Sequence, residues 1–328
     1  MNIIDQFIAE AQKNPARIVY PEATDPRIVR AVEQIKNLNI AHPILIGNPE
    51  QIYTIAKEEN CDLDGIEIID SKNDSRLETY SRAYAEKREL REAIAQKLVR
   101  KPLSFGGMMV SQGAADGMVA GVATATSIVI QTATLTVGFQ DGLSTPSSFF
   151  IMIIPEFQGE TDKIFLFADS AVNIQPNAQQ LAEIAIASGV NAKALLGIDP
   201  KIAFLSFSTK GSAGHNDADK VLEALAIAKK INPTFDMDGE LQLDAAIVPS
   251  VAAKKVGDSS VAGQANVLIF PDLDAGNIGY KLVQYMANAK AIGPILQGFA
   301  RPVNDMSRGA SVEDLIAVSA ITSVQARG

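Results

Sequence analysis

The chain contains no tryptophan, one cysteine and only two histidines. A lone cysteine, Cys61, cannot close an internal disulfide, so a reducing compartment is expected. Its neighbours Glu58, Glu59 and Asp62 disfavour the thiolate that a nucleophile needs. His42 and His215 lie far apart and outside ligand-type spacing, which argues against a zinc centre, and no metal is expected. A Ser-His-Asp hydrolase would also need a G-x-S-x-G turn, and there is none. Neither G-x-G-x-x-G nor G-x-x-x-x-G-K-[ST] occurs, so the dinucleotide fingerprint and the P-loop are both missing. Basic residues are in deficit, 29 Lys and Arg against 38 Asp and Glu, for a net charge of −9. That balance argues against general affinity for nucleic acid or an anionic membrane, and an anionic ligand must be captured by local cations. The start, Met1-Asn2-Ile3-Ile4-Asp5-Gln6, has no basic region ahead of a long apolar run, so no secretory signal is expected.

The residues between Asp116 and Asp141 are all uncharged, long enough in principle to span a bilayer. They are rich in Thr, Ser, Gly and Ala, with Gln131 in the middle and no aromatic belt. A buried strand over 118–121 and a helix over 127–137 explain them better. No membrane association is expected.

With 328 residues, 47% hydrophobic and 20% charged, the chain reads as one large or two medium α/β domains. Short β-branched runs alternate with amphipathic segments, the pattern of a mainly parallel sheet wrapped by helices. Strands are expected at 17–20, 43–46, 66–69, 149–154, 164–167, 202–207, 267–270 and 292–296. After the first, Thr24-Asp25-Pro26 is a helix start followed by Ile28, Val29, Val32 and Ile35 on one face. The stretch 75–100 reads as one long exposed helix or two, and further helices are expected at 178–188, 217–231, 243–254 and 276–288. Asp272 and Asp274 could bind a divalent ion but read chiefly as caps of the last of these. Several strands run directly into Gly, Ser, Asp or Asn, and in open α/β sheets ligands gather at such carboxyl ends.

Two segments carry chemistry. In Val303-Asn304-Asp305-Met306-Ser307-Arg308-Gly309-Ala310-Ser311-Val312-Glu313-Asp314 a fixed cation, hydroxyls and carboxylates surround one turn ahead of the apolar helix of Leu315, Ile316, Val318 and Ile321. Ser311 and Asp314 approximate a capping box, and a helix start with free N–H groups is itself an anion site. The loop Ser206-Phe207-Ser208-Thr209-Lys210-Gly211-Ser212-Ala213-Gly214 offers hydroxyls, small residues and one Lys. Ser208, Thr209, Lys210, Gly211 and Ser212 are candidates to cradle phosphate oxygens, and a solvated turn is the competing reading.

Eight stretches, Tyr20-Pro21-Glu22-Ala23-Thr24-Asp25, Ala115-Asp116-Gly117-Met118-Val119-Ala120-Gly121, Phe167-Ala168-Asp169-Ser170-Ala171-Val172-Asn173, residues 206–213, Asp238-Gly239-Glu240-Leu241-Gln242-Leu243-Asp244-Ala245-Ala246, residues 270–279, Gly293-Pro294-Ile295 and 302–314, follow one another in a telling order and spacing. Through them, along nearly its whole length, the sequence resembles the phosphate acetyltransferase (phosphotransacetylase) family. The resemblance implies reversible acetyl transfer between CoA and phosphate in the cytoplasm, with no metal or redox cofactor and with CoA, acetyl phosphate and phosphate as substrates. It also implies a homodimer whose subunits have two α/β domains and a cleft between them, similar to isocitrate and isopropylmalate dehydrogenases. Residues 1–145 with 299–328 would form the first domain and 146–298 the inserted second.

By the same resemblance Asp314 matches the base that takes the CoA thiol proton, Arg308 the cation at the acyl phosphate, and Ser307 a positioning hydroxyl. Arg88 approximately matches an arginine that binds CoA, although the following Glu89-Leu90-Arg91-Glu92 departs from the family's basic continuation. Where many members carry Asp and, three positions on, Arg, this chain has Ile128 and Gln131. An ion pair lost as a unit, or altered substrate handling, would look like this. A butyryl-preferring phosphate acyltransferase and a non-catalytic acetyl-CoA-binding module are the competing readings.

Overall fold

In the computed structural model, which describes residues 3–327, four short strands of the first part of the chain and one from near its end form a five-stranded parallel sheet. Its elements are α1 (Ile3–Lys13), β1 (Ala16–Tyr20), α2 (Pro26–Asn37), β2 (Ala41–Ile46), α3 (Pro49–Glu58), β3 (Glu67–Ile69), α4 (Leu77–Arg88), α5 (Glu92–Val99), α6 (Pro102–Ser111), β4 (Gly117–Ala120) and α7 (Thr126–Thr136). The second part supplies β5 (Ser147–Phe157), β6 (Glu160–Ala168), α8 (Ala178–Leu196), β7 (Lys201–Leu205), α9 (Asn216–Ile231), β8 (Asp236–Leu241), α10 (Leu243–Ile247), α11 (Pro249–Lys255), β9 (Val267–Ile269), α12 (Leu273–Met286) and β10 (Lys290–Gln297). The chain then adds β11 (Val303–Asp305) and α13 (Val312–Gln325) to the first sheet, whose order is β11-β4-β1-β2-β3. Two units result: the described residues up to Gln140 with those from Phe299, and Asp141–Gly298.

In the first unit, Ile18, Val19, Tyr20, Leu45, Ile46, Met118 and Val119 are buried, as expected of parallel strands covered on both faces. The helix α13 is buried along almost its whole length, from Leu315 to Val324. Its small polar residues face the sheet: Tyr20 Oη donates to Ser319 Oγ at 2.7 Å, and the Ala16 amide to Ser323 Oγ at 3.0 Å. Tyr20 ends β1 and Ala16 begins it, so α13 runs antiparallel to β1. The helix start therefore lies at the carboxyl end of that strand, where ligands collect in this architecture.

The second sheet, β10-β5-β6-β9-β7-β8, departs from the mainly parallel expectation at one side: β5 is antiparallel to both β10 and β6. The reason is local. Gln158 and Gly159, both at positive φ, make a two-residue hairpin between β5 and β6, as a primed turn requires. Two other differences have equally local causes: the expected helix over 243–254 is broken in two because Pro249 cannot continue α10, and α8 continues to Leu196, stopped by left-handed Gly197. Of the two forms expected for the polar stretch 75–100, the two-helix one is found, α4 and α5 parting at the left-handed Glu89.

Candidate active site

The turn that opens α13 is held in place from three sides. Ser311 accepts the Asp314 amide at 3.1 Å, and Asp314 Oδ2 accepts the Ser311 amide at 2.9 Å, a reciprocal cap that fixes the carboxylate at the helix start. Ser307, Arg308 and Asp314 are all exposed. The Ser307 hydroxyl accepts the Gly309 amide at 3.2 Å. Among the described residues the Arg308 guanidinium has no hydrogen bond or ion pair, whereas its carbonyl accepts from Arg27 Nη1 at 2.7 Å. The turn thus carries a cation without a protein partner, a helix-capping carboxylate and a hydroxyl.

Neighbouring loops are closed on the protein's own acids. At the end of β4 the amides of Gly121, Val122 and Ala123 donate to the Glu22 carboxylate at 2.8, 2.9 and 3.1 Å, three successive N–H groups forming an anion nest that Glu22 fills. Asp305, at the end of β11, is 6% exposed and accepts the Thr126 hydroxyl on Oδ2, while Oδ1 has no partner. Burial, aided by the Glu22 charge, pushes the Asp305 carboxyl up to about 6. Neither acid stands out by spacing: the residues that meet here are 99 to 179 positions apart in the sequence. The Pro-Glu-Ala-Thr-Asp run at a strand's carboxyl end was the available signal for Glu22.

The Ser208 loop closes in the same way in the other unit. Glu240 Oε1 accepts the Ser208 hydroxyl at 2.8 Å and the Gly211 amide at 2.7 Å, and the Thr209 amide donates to Ser212 Oγ at 3.0 Å. Lys210 is paired with Asp238 and also reaches the Gly239 carbonyl at 3.2 Å. Burial alone would raise Asp238, but hydrogen bonds from Lys210 and Ser259 hold its carboxyl below the ordinary value. An internal carboxylate therefore sits where composition suggested a phosphate, and the loop's one cation already has a partner.

Arg88, half-buried at the end of α4, donates to the carbonyls of Thr134 and Leu135. Lys87 beside it reaches the carbonyls of Thr136 and Val137 at 2.8 and 3.1 Å. Together these cations satisfy the last turn of α7, the end of a helix that attracts positive charge. Cys61 has its thiol pushed up to about 11, by burial first and then by Glu33 and Glu59, which matches the inert reading. Asp272 caps α12 by accepting the Ala275 amide at 2.9 Å.

A cavity of about 710 Å³ opens in the first unit, with Glu22, Asp25, Ala123, Thr124, Lys101 and Ser104 among the polar and backbone parts of its wall and Tyr84, Leu98, Leu103 and Leu135 among the apolar ones. Ile128 and Gln131 line it one turn apart on α7. The α7 start carries no side-chain cap and no acid in its first turn; the Ile128 and Val129 amides donate to the Ala125 carbonyl, which leaves the Thr126 and Ser127 N–H groups available to an anion. None of the described helices is long and apolar enough to cross a membrane.

Against known proteins, residues 2–323 match the family model described as phosphate acetyl/butaryl transferase. A phosphate acetyltransferase of Thermoanaerobacterium thermosaccharolyticum is 47% identical over 330 residues, covering 100% of both chains. Among solved structures, a phosphotransacetylase from Streptococcus pyogenes superposes with a TM-score of 0.93 at 41% identity, over 99% of this chain and 98% of that one. A 4-hydroxythreonine-4-phosphate dehydrogenase from Klebsiella pneumoniae shares the fold alone, with a TM-score of 0.51 and 12% identity over 95% and 98% of the two chains.

Proposed function

The chain belongs to the phosphate acetyl/butaryl transferase family and transfers an acetyl group reversibly between acetyl-CoA and phosphate, and we propose that the reaction takes place at the turn opening α13. The carrying observation is Arg308, an exposed guanidinium without a protein partner, on the same turn as the Ser307 hydroxyl and the helix-capping Asp314 carboxylate. Arg27, Lys87, Arg88 and Lys210 are all already hydrogen-bonded to the protein.

In this reading Asp314 takes the proton from the CoA thiol. The thiolate sulfur forms a bond to the acetyl carbon as the bond from that carbon to the phosphate oxygen breaks. Phosphate then leaves with the electron pair. A thiol titrates near pH 8.5 in reference peptides, so at neutral pH the cation contributes to thiolate formation along with the carboxylate. Arg308 stabilises the charge that builds on the leaving phosphate, and a planar guanidinium can grip two of its oxygens. Ser307 donates to the reacting groups, and the α7 N–H groups offer a second hold on an anion. The cavity lined by Ile128 and Gln131 accommodates part of CoA, with Lys101 as the cation in its wall. CoA serves as a substrate and no resident cofactor enters these steps. Relatives at this identity carry the acetyl name, which supports acetyl over butyryl as the preferred group.

We assign the protein to the cytoplasm, consistent with its single thiol, and to a homodimer. The exposed face of α12 supports the second assignment: Ile278, Leu282, Tyr285 and Met286 follow helical spacing and leave 51–79% of their surface uncovered, an apolar stripe suited to a partner subunit. The test of function is direct: purified protein with CoA and either acetyl or butyryl phosphate, thioester formation followed in both. Faster turnover of acetyl phosphate is expected. Tight CoA binding with no turnover of either would overturn the proposed site.

A further inference from the structure

We propose that Arg27 is the positioning residue for the reacting turn, locking the backbone on both sides of Gly309 so that the Arg308 side chain keeps one geometry. The inference rests on the assignment of Arg308 above. Arg27 Nη1 donates to the carbonyls of Arg308 at 2.7 Å and Ala310 at 3.0 Å. Nη2 donates to the Val122 carbonyl at 3.0 Å and to Asp25 Oδ2 at 2.8 Å, and Nε to Asp25 Oδ1 at 3.0 Å. A guanidinium has five N–H donors, and these contacts use all of them. Arg27 has none left for a substrate, which separates its role from that of Arg308.

The anchor is itself rigid. Asp25 caps α2 by accepting the Arg27 amide at 2.9 Å, so the carboxylate that orients the guanidinium is fixed by the helix start. Val122 is held from its other side, its amide donating to Glu22 at 2.9 Å. The turn has restraints of its own, the Gly309 amide on Ser307 Oγ at 3.2 Å, the Ala310 amide on the Ser307 carbonyl at 2.9 Å and the reciprocal Ser311–Asp314 cap. At Gly309 itself a Cβ would meet nothing nearer than Ser307 Oγ at 3.8 Å, and the fork from Arg27 is what ties the backbone on either side of it to the loops after β1 and β4. A lysine ammonium cannot reproduce a planar fork that serves three carbonyls and a bidentate carboxylate.

The experiment is a double-mutant cycle in the full-length protein: Arg27→Ala and Arg27→Lys, each alone and combined with Arg308→Ala, read as kcat and KM for acetyl phosphate and CoA. Loss of alignment predicts a kcat lower by about 10- to 100-fold in Arg27→Ala, with little change in either KM and no rescue by Lys. In the Arg308→Ala background, adding Arg27→Ala should lower kcat less than about twofold, because the two residues act as one unit. Multiplicative effects in the double variant overturn the inference, as does a raised KM at unchanged kcat, which would make Arg27 a substrate contact. A depressed melting temperature at unchanged kcat overturns it too, leaving only a structural role. Near-normal turnover in Arg308→Ala alone sinks the parent reading together with this one, whereas a crippled Arg308→Ala with multiplicative coupling sinks this one only.

Discussion

Asp305 is a carboxyl group buried at a cost that pH should reveal. It is 6% exposed, its Oδ1 has no partner, and its pKa moves from 3.8 to about 6 on folding, through desolvation first and the nearby Glu22 charge second. Because the folded value is the higher one, the native state binds more protons than the unfolded chain between those values, and stability falls as pH rises through that window. Above the folded value the full penalty applies, roughly 3 kcal/mol for a shift of this size. Asp305→Asn removes the titration while keeping an acceptor for Thr126. The stability difference between variant and parent should therefore grow in the variant's favour by about 2 kcal/mol between roughly pH 4.5 and pH 7.5. With no tryptophan to report unfolding, urea titration followed by circular dichroism across that range is the suitable assay. A difference that stays constant with pH would refute the assignment of a buried, hard-to-ionise carboxyl.

Gly121→Ala should destabilise by more than about 3 kcal/mol in a thermal or urea melt, because φ is +105° and a Cβ would stand 2.2 Å from Asp305 Oδ1 and 2.6 Å from the Met306 backbone. Gly113→Ala, at φ +72° in open space, is its control and should lose only about 1–2 kcal/mol; equal losses would contradict the packing argument. Asp314→Asn keeps an oxygen for the Ser311 amide, so turnover should fall by about 100-fold or more with a nearly unchanged melting temperature, and normal turnover would confine Asp314 to capping. Gln131→Arg places a cation in the cavity wall with no acid at Ile128 to neutralise it. It should lower KM for an anionic substrate about tenfold, the equivalent of roughly 1.4 kcal/mol, and unchanged constants for both substrates would remove Gln131 from the site.

What was legible in the sequence followed from periodicity and punctuation. The β-branched runs at β1, β2, β7 and β9, the Asp25-Pro26 helix start and the Ser311 cap are local signals, and each forms as its residues dictate. β8 was not legible, because Asp236-Met237-Asp238-Gly239-Glu240-Leu241 places three acids in a short strand, against strand propensity. They are tolerated because Lys210 and Ser259 pair with Asp238, and Ser208 and Gly211 donate to Glu240 Oε1, from elsewhere in the unit, although Glu240 Oε2 has no partner. The closure of two loops on Glu22 and Glu240 was hidden for the same reason: a loop's composition advertises donors, but the acceptor that fills it comes from a distant strand. The Arg27 fork spans 281 and 283 positions to the carbonyls it grips, a separation that no motif spacing encodes.

The central claim is that the Arg308 guanidinium stabilises the transferring phosphate. It is tested most directly by following thioester formation from acetyl phosphate and CoA in Arg308→Ala and Arg308→Lys at saturating substrate. A fall in kcat of about 100- to 1,000-fold in the Ala variant, with incomplete recovery in the Lys variant, is the predicted result. Turnover within a few-fold of the parent in Arg308→Ala would contradict it.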